Sequence, residues 1–247
     1  MSKLGIIGGL GPMATANLSE LIIRMTEANT DQEHLETVVL NCPSVPDRTS
    51  YILGKSTQNP YPDLLALGKT LESLEVSQIA IPCITAHYFH KELSENINVP
   101  IINPIEETCK ILKANGVESA GIMATEGTIQ SKIFASELEK HNITPIIPDE
   151  KHQEIVTSII YDYVKANKIP RLEDFFLVKT HLYELGAQAV ILGCTELHIV
   201  KKLYQVGNGV IDVVDVLAYN AITRCGKKVK DKYQVLFERE NIQNEVL

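Results

Sequence analysis

Two stretches decide the fold of this chain: QIAIPCITAH at residues 78–87 and QAVILGCTELH at residues 188–198. Each is an apolar, β-branched run that ends at a cysteine and continues into small polar residues, the pattern of a buried strand leading into a turn. A second pair accompanies them, LGIIGGLGP at 4–12 and AGIMATEGT at 120–128. The chain therefore reads as an imperfect internal repeat. Each half opens with a strand and a Gly-containing turn, and later presents a strand, a Cys and a Thr.

Working outward, TVVLN (37–41), VPIIN (99–103) and TPIIP (144–148) also read as buried strands, and amphipathic patterns predict helices over 12–29, 61–75, 104–115, 126–141, 150–167 and 171–186. Strands alternating with helices predict an α/β protein with mainly parallel sheets. The Asn103-Pro104 segment is the expected crossing point between two similar lobes. Lobes that face each other bring the carboxyl ends of their sheets together, where open parallel sheets place their ligands. The charged end, KKVKDKYQVLFERENIQNEVL at 227–247, reads as either a surface helix or a frayed tail.

Composition narrows the function classes. With 45% apolar and 22% charged residues among 247, the chain has the material for a sizeable core. A formal charge of −8 argues against general affinity for nucleic acid or anionic lipid, since both require clustered Lys and Arg. An anionic small molecule remains compatible if a few basic residues converge on one cleft. The five cysteines (Cys42, Cys83, Cys109, Cys194, Cys225) are odd in number and lack CxxC spacing, which suggests neither a disulfide framework nor a structural zinc site. The apolar run after Met1-Ser2-Lys3 is too short for a signal peptide and no later run approaches transmembrane length, so no membrane association is expected and the reducing cytoplasm is the expected location.

The turn GGLGPMA (8–14) comes close to a dinucleotide fingerprint, but TVVLN ends at Asn41 where a ribose-binding acid belongs. It reads better as a tight turn that directs backbone N–H groups, around Leu10, towards an acidic ligand. The loop CPSVPDRTSYILG (42–54) exposes Arg48. This is either a solvated arginine or a fork of donors for a carboxylate. Cys83 and Cys194 form the main constellation: each ends a strand where following helix amides would lower the thiol pKa, and Thr85 and Thr195 follow as caps or substrate donors. The other three cysteines are assigned to packing. His87 lies one helical turn beyond Cys83, but a metal pair lacks two further ligands at recognisable spacing, so His87 and His198 read as helix residues near the cleft.

Taken together, GIIGGLGP, PDRT, PCITAH, ATEGTI, YDYVKAN and GCTEL resemble the cofactor-independent aspartate/glutamate racemases, over nearly the whole chain short of its C-terminal end. The resemblance implies two pseudo-symmetric lobes, residues 1–103 plus 211–247 and residues 104–210, with the active site between them. It implies a homodimer that needs neither pyridoxal phosphate nor metal. It also implies a two-base mechanism in which Cys83 and Cys194 face opposite sides of the substrate Cα, because inversion through a planar carbanion requires a proton acceptor and a donor on opposite faces. The family pattern further maps substrate contacts onto Arg48 and Lys165, giving a dicarboxylic amino acid its cationic partners; turn amides around Leu10 and the hydroxyls of Thr85, Thr125 and Thr195 are the candidates to stabilise charge on the α-carboxylate.

One position departs from the pattern. The family's usual Cys-Asn-Thr is here Cys83-Ile84-Thr85, which exchanges an amide for a branched apolar group at a position that lines the expected cleft. Two alternatives follow: a related isomerase such as a maleate isomerase, or a dicarboxylate-binding protein whose turnover was altered by Ile84. The related decarboxylases keep only one of the two cysteines.

Overall fold

A computed structural model describes residues 2–240. Seven strands form two sheets in which every pairing is parallel: β2-β1-β3, from Lys3–Gly8 (β1), Glu36–Asn41 (β2) and Gln78–Ala80 (β3), and β5-β4-β6-β7, from Ser119–Met123 (β4), Thr144–Ile146 (β5), Ala189–Leu192 (β6) and Val210–Asp212 (β7). Helices flank both sheets, the α/β arrangement expected from the alternating pattern. β7 has no counterpart in the reading of the sequence, because three residues of GVID carry too short a signal. The boundary expected at residue 211 falls inside this strand, which is hydrogen-bonded to β6.

The two halves share one topology. The run VPIIN, expected as a strand, forms a single parallel bridge between Ile101 and Ile79. Its backbone bonds, Ile79 N–H to Pro100 O and Ile102 N–H to Ile79 O, both 2.9 Å, put it beside β3 as β7 lies beside β6. A capped helix follows in each half: Asn103 accepts from the Ile105 and Glu106 amides to begin α5 (Pro104–Ala114), and Asp212 accepts from the Val214 amide to begin α11 (Val213–Arg224). These helices cross over. Ile105, Cys109 and Leu112 of α5 pack in the core of the second sheet, whereas Leu217, Ala221 and Ile222 of α11 pack with Leu4, Ile6, Leu18 and Ile22 on the first. Each buried Leu or Ile among them contributes about 1.5–3 kcal/mol, so the exchange fastens the lobes to each other.

Several expected helices differ in their bounds. α1 (Pro12–Met25), α3 (Tyr61–Ser73) and α9 (Leu172–Glu184) are shorter than predicted. The helix expected over 126–141 is two, α6 (Glu126–Gln130) and α7 (Ile133–Lys140), broken where Lys132 takes a left-handed φ of 56°. The helix expected over 150–167 begins as α8 (Glu150–Ser158) and widens into a π-helical turn over Ile159–Val164. The charged end is neither a surface helix nor loose where it is described: it carries one short turn at Asp231–Tyr233, and Phe237 inserts into the second-lobe core. Its remainder, residues 241–247, lies outside the described residues. No helix among the described residues is long and apolar enough to cross a membrane.

Candidate active site

Both conspicuous cysteines sit just past the carboxyl end of a strand. Cys83 is the N-cap of a tight turn at Ile84–Phe89 that leads into α4 (His90–Asn96), and Cys194 is the N-cap of α10 (Thr195–Leu203). Both border one small inner cavity of about 20 Å³, together with Leu10, Arg48, Ile84, Thr85, Thr125, Lys165 and Thr195. All nine residues singled out in the sequence thus reach the same space. It holds about one water molecule. An outer cavity of about 620 Å³ shares Leu10, Arg48, Lys165 and Thr195 with it and opens over α1 and the Pro43–Asp47 loop. That volume is in the range of small-molecule sites.

The turn after β1 is built around Gly9, whose φ of +89° and contact with the Cys42 backbone admit no side chain. Its N–H is already taken by Thr15 Oγ1 at 2.9 Å. Arg48, expected to be exposed on a loop, is buried in the first turn of α2 (Arg48–Ile52). Its guanidinium donates to the carbonyls of Val45 (3.2 Å), Pro46 (2.9 Å) and Leu10 (2.5 Å), and its buried Nε lacks a partner. Arg48 therefore ties its own loop to the β1 turn. Thr85, from the first lobe, and Thr125 and Thr128, from the second, form a ring of hydroxyls 3.0–3.1 Å apart that bridges the cleft floor.

Lys165 is delivered by the π-helical turn, closed by its N–H to Ile160 O at 2.9 Å. The turn puts its ammonium 4.5 Å from the Tyr161 ring centroid and 3.9 Å from Glu196. Burial opposes its charge, but Glu196, Tyr161 and the nearby thiols outweigh this and hold its pKa above the ordinary value. Ile84 does not merely line the cleft: it is buried in the second-lobe core with Ile105 and Ile122.

Cys194 differs from the expectation that helix amides would lower its thiol pKa. Cys194 Sγ–H donates to Glu196 Oε2 at 2.8 Å, and Thr195 Oγ1–H donates to the same oxygen at 3.0 Å. Burial first, then the Glu196 charge, pushes the Cys194 thiol well above its ordinary range. Burial also pushes Cys109 up to about 12, in keeping with a packing role. His87 and His198 border neither cavity. His87 is buried against Ile81 O at 3.2 Å, where burial lowers its pKa to about 3, and His198 pairs with Asp212 at 2.7 Å, anchoring α10 to β7.

Four residues at the inner cavity escaped the sequence reading: Asp47, Thr49, Tyr161 and Glu196. Glu196 had a visible signal, an acid two residues after the second cysteine. Tyr161 had one only in hindsight, since regular helical spacing does not announce a π-helical turn.

The sequence profile of the Asp/Glu/Hydantoin racemase family matches residues 7–221. A broad specificity amino-acid racemase from Bacillus subtilis is 25% identical over 225 residues, which is 89% of this chain and 96% of that protein. Among solved structures, an aspartate racemase from Picrophilus torridus is 32% identical with a TM-score of 0.78, over 94% of this chain and 98% of the other. A glutamate racemase from Francisella tularensis, in complex with D-glutamate, shares the fold at 21% identity and a TM-score of 0.58, over 88% of this chain and 78% of its own. The family match and the likeness to the Picrophilus enzyme place this chain in the Asp/Glu/hydantoin racemase family.

Proposed function

We propose that the protein interconverts the enantiomers of an acidic amino acid, aspartate foremost and glutamate second, by a two-base exchange at Cα without a cofactor. One observation carries this reading: Cys83 and Cys194, from equivalent turns of the two lobes, border the same cavity. One sulfur removes the α-proton while the other delivers a proton to the opposite face, and the roles exchange for the other enantiomer. Cys194, held as a thiol by burial and Glu196, is the donor in the first half-reaction, which leaves abstraction to Cys83. A thiolate is a weak base for a Cα–H, so the negative charge that builds on the α-carboxylate needs donors in place. The ammonium of Lys165 supplies one, and the hydroxyls of Thr85, Thr125 and Thr195 supply others by turning from one another and from Glu196 to the substrate. Asp47 and Glu196 give the cleft an anionic side for the substrate ammonium, while Lys165, with the Arg48 charge at the cavity wall, meets its carboxylates. The Picrophilus relative, an aspartate racemase, supports aspartate as the first substrate to try.

A second reading, turnover of larger and less polar amino acids, is favoured by the outer cavity, whose walls include Pro12, Met13, Val45, Val164 and Ile199. The Bacillus relative is a broad specificity racemase. We also assign the protein to the cytoplasm as a homodimer, in keeping with five free cysteines; sedimentation checks the assembly. The test of function is incubation of the purified protein with L-aspartate and chiral chromatography of the product. D-aspartate is the expected result. No isomer from aspartate, glutamate or larger amino acids sinks the proposal, product from maleate favours the isomerase alternative, and ligand-induced thermal stabilisation without turnover favours a binding protein.

A further inference from the structure

The cleft leaves unused a cluster at the opposite end of the helix that delivers Lys165. Asp149, the N-cap of α8, His152 in its first turn and His181 in the last turn of α9 each offer a ligand atom, all within 4.8 Å of one another. None of the three borders either cavity. The imidazoles stack with centroids 3.6 Å apart and planes 5° from parallel, and their side chains are only 14% and 13% exposed. Asp149 spans them: Oδ1 is 2.6 Å from His152 Nδ1 and Oδ2 is 3.5 Å from His181 Nε2. His181 Nε2 accepts from the Asp149 backbone N–H only at a long 3.4 Å and lies 3.5 Å from Asp149 Oδ2, a weak contact that a cation can replace.

We propose that Asp149, His152 and His181 bind a late first-row divalent cation, Zn²⁺ being the type, and thereby staple α8 to α9. Two imidazole nitrogens and one carboxylate oxygen form a borderline donor set that suits Zn²⁺, Ni²⁺ or Cu²⁺, whereas Mg²⁺ and Ca²⁺ want oxygen ligands throughout. Ligand bonds of about 2.0–2.2 Å, with the ion in the plane of each imidazole, require the two rings to rotate out of their parallel stack as the three groups converge. Binding displaces the proton from His152 Nδ1, and waters complete the coordination. Another trio of the same spacing, His198, Asp212 and Asp215, is already closed: Lys201 Nζ lies 2.5 Å from Asp215, and the Val214 N–H lies 2.9 Å from Asp212. Asp149 also caps the His152 N–H at 2.9 Å, as Asp212 caps Val214, but among the described residues it has no lysine or arginine partner, which is what separates the two trios.

The test is equilibrium dialysis of the full chain against Zn²⁺ in a Cys83→Ser, Cys194→Ser background, so that the cleft thiols contribute no ligand. One Zn²⁺ per chain and a Zn²⁺-dependent rise in Tm are expected, with Mg²⁺ unable to compete. Asp149→Asn keeps the helix cap and removes the charge. That change, His152→Ala and His181→Ala should each weaken binding by at least about tenfold, with metal-free circular dichroism confirming that each variant is folded. No saturable uptake, or uptake that survives His152→Ala with His181→Ala in a folded protein, overturns the proposal.

Discussion

The Cys83 turn and the Cys194 turn start from the same strand-to-turn geometry and end in different chemistry. Two residues beyond Cys194 stands Glu196, which takes hydrogen bonds from the thiol and from Thr195. Two residues beyond Cys83 stands Thr85, which bonds instead to the hydroxyls of the other lobe. Cys194 also heads a nine-residue α-helix, whose terminus favours a thiolate, yet its pKa is raised. Burial and one adjacent carboxylate therefore outweigh the helix end. Repetition of the fold sets where the sulfurs stand; burial and then Glu196 hold the Cys194 thiol protonated.

Removing either sulfur probes that pairing most severely. Cys83→Ala and Cys194→Ala should each lower racemisation by at least about 10²–10⁴-fold, measured by chiral chromatography, while Cys109→Ala leaves it unchanged. In deuterated water each single variant should still exchange Cα–H from one enantiomer only, and opposite ones for the two variants. Equal exchange of both enantiomers by either variant would break the two-face assignment.

Lys165→Met comes next, removing the ammonium beside Glu196. Loss of a charge-assisted contact worth about 1.5–3 kcal/mol should raise KM for aspartate by roughly 10–150-fold, with kcat affected less. Glu196→Gln sharpens the contrast between the thiols. It removes the charge that raises the Cys194 pKa, so alkylation of Cys194 should become about tenfold faster at neutral pH for each unit of pKa lost. The pH at which Cys194 becomes reactive should move down, while the Cys83 rate holds; peptide mass spectrometry separates the two. An unchanged Cys194 rate would leave burial as the whole cause.

The smallest effect is on stability. Ile84→Asn restores the family's usual residue, but Ile84 is buried in the second-lobe core beside Ile105 and Ile122. An amide there should cost about 1–3 kcal/mol and lower Tm by about 2–4 °C per kcal/mol, read by thermal denaturation.

The repeat made the architecture legible. LGIIGG, TVVLN, AGIMA and AVILG are long enough apolar runs to announce β1, β2, β4 and β6, and the paired Cys-containing turns located the cleft. Shorter signals failed where tertiary contacts decide the outcome. VPIIN looked like a strand but has room for one bridge, whereas GVID did not look like one and became β7. Arg48 sits where a polar loop predicts exposure, yet three backbone carbonyls draw it inside. The protonation of Cys194 depended on a neighbour that looked like an ordinary acid in a helix first turn.

The central claim is that two sulfurs serve one Cα from opposite faces, and the isotope content of early product tests it directly. With L-aspartate in deuterated water, the first D-aspartate formed should carry deuterium at Cα while the unreacted L-aspartate remains protiated. Deuterium entering L-aspartate as fast as D-aspartate appears would mean that a single base serves both faces, and would contradict the account.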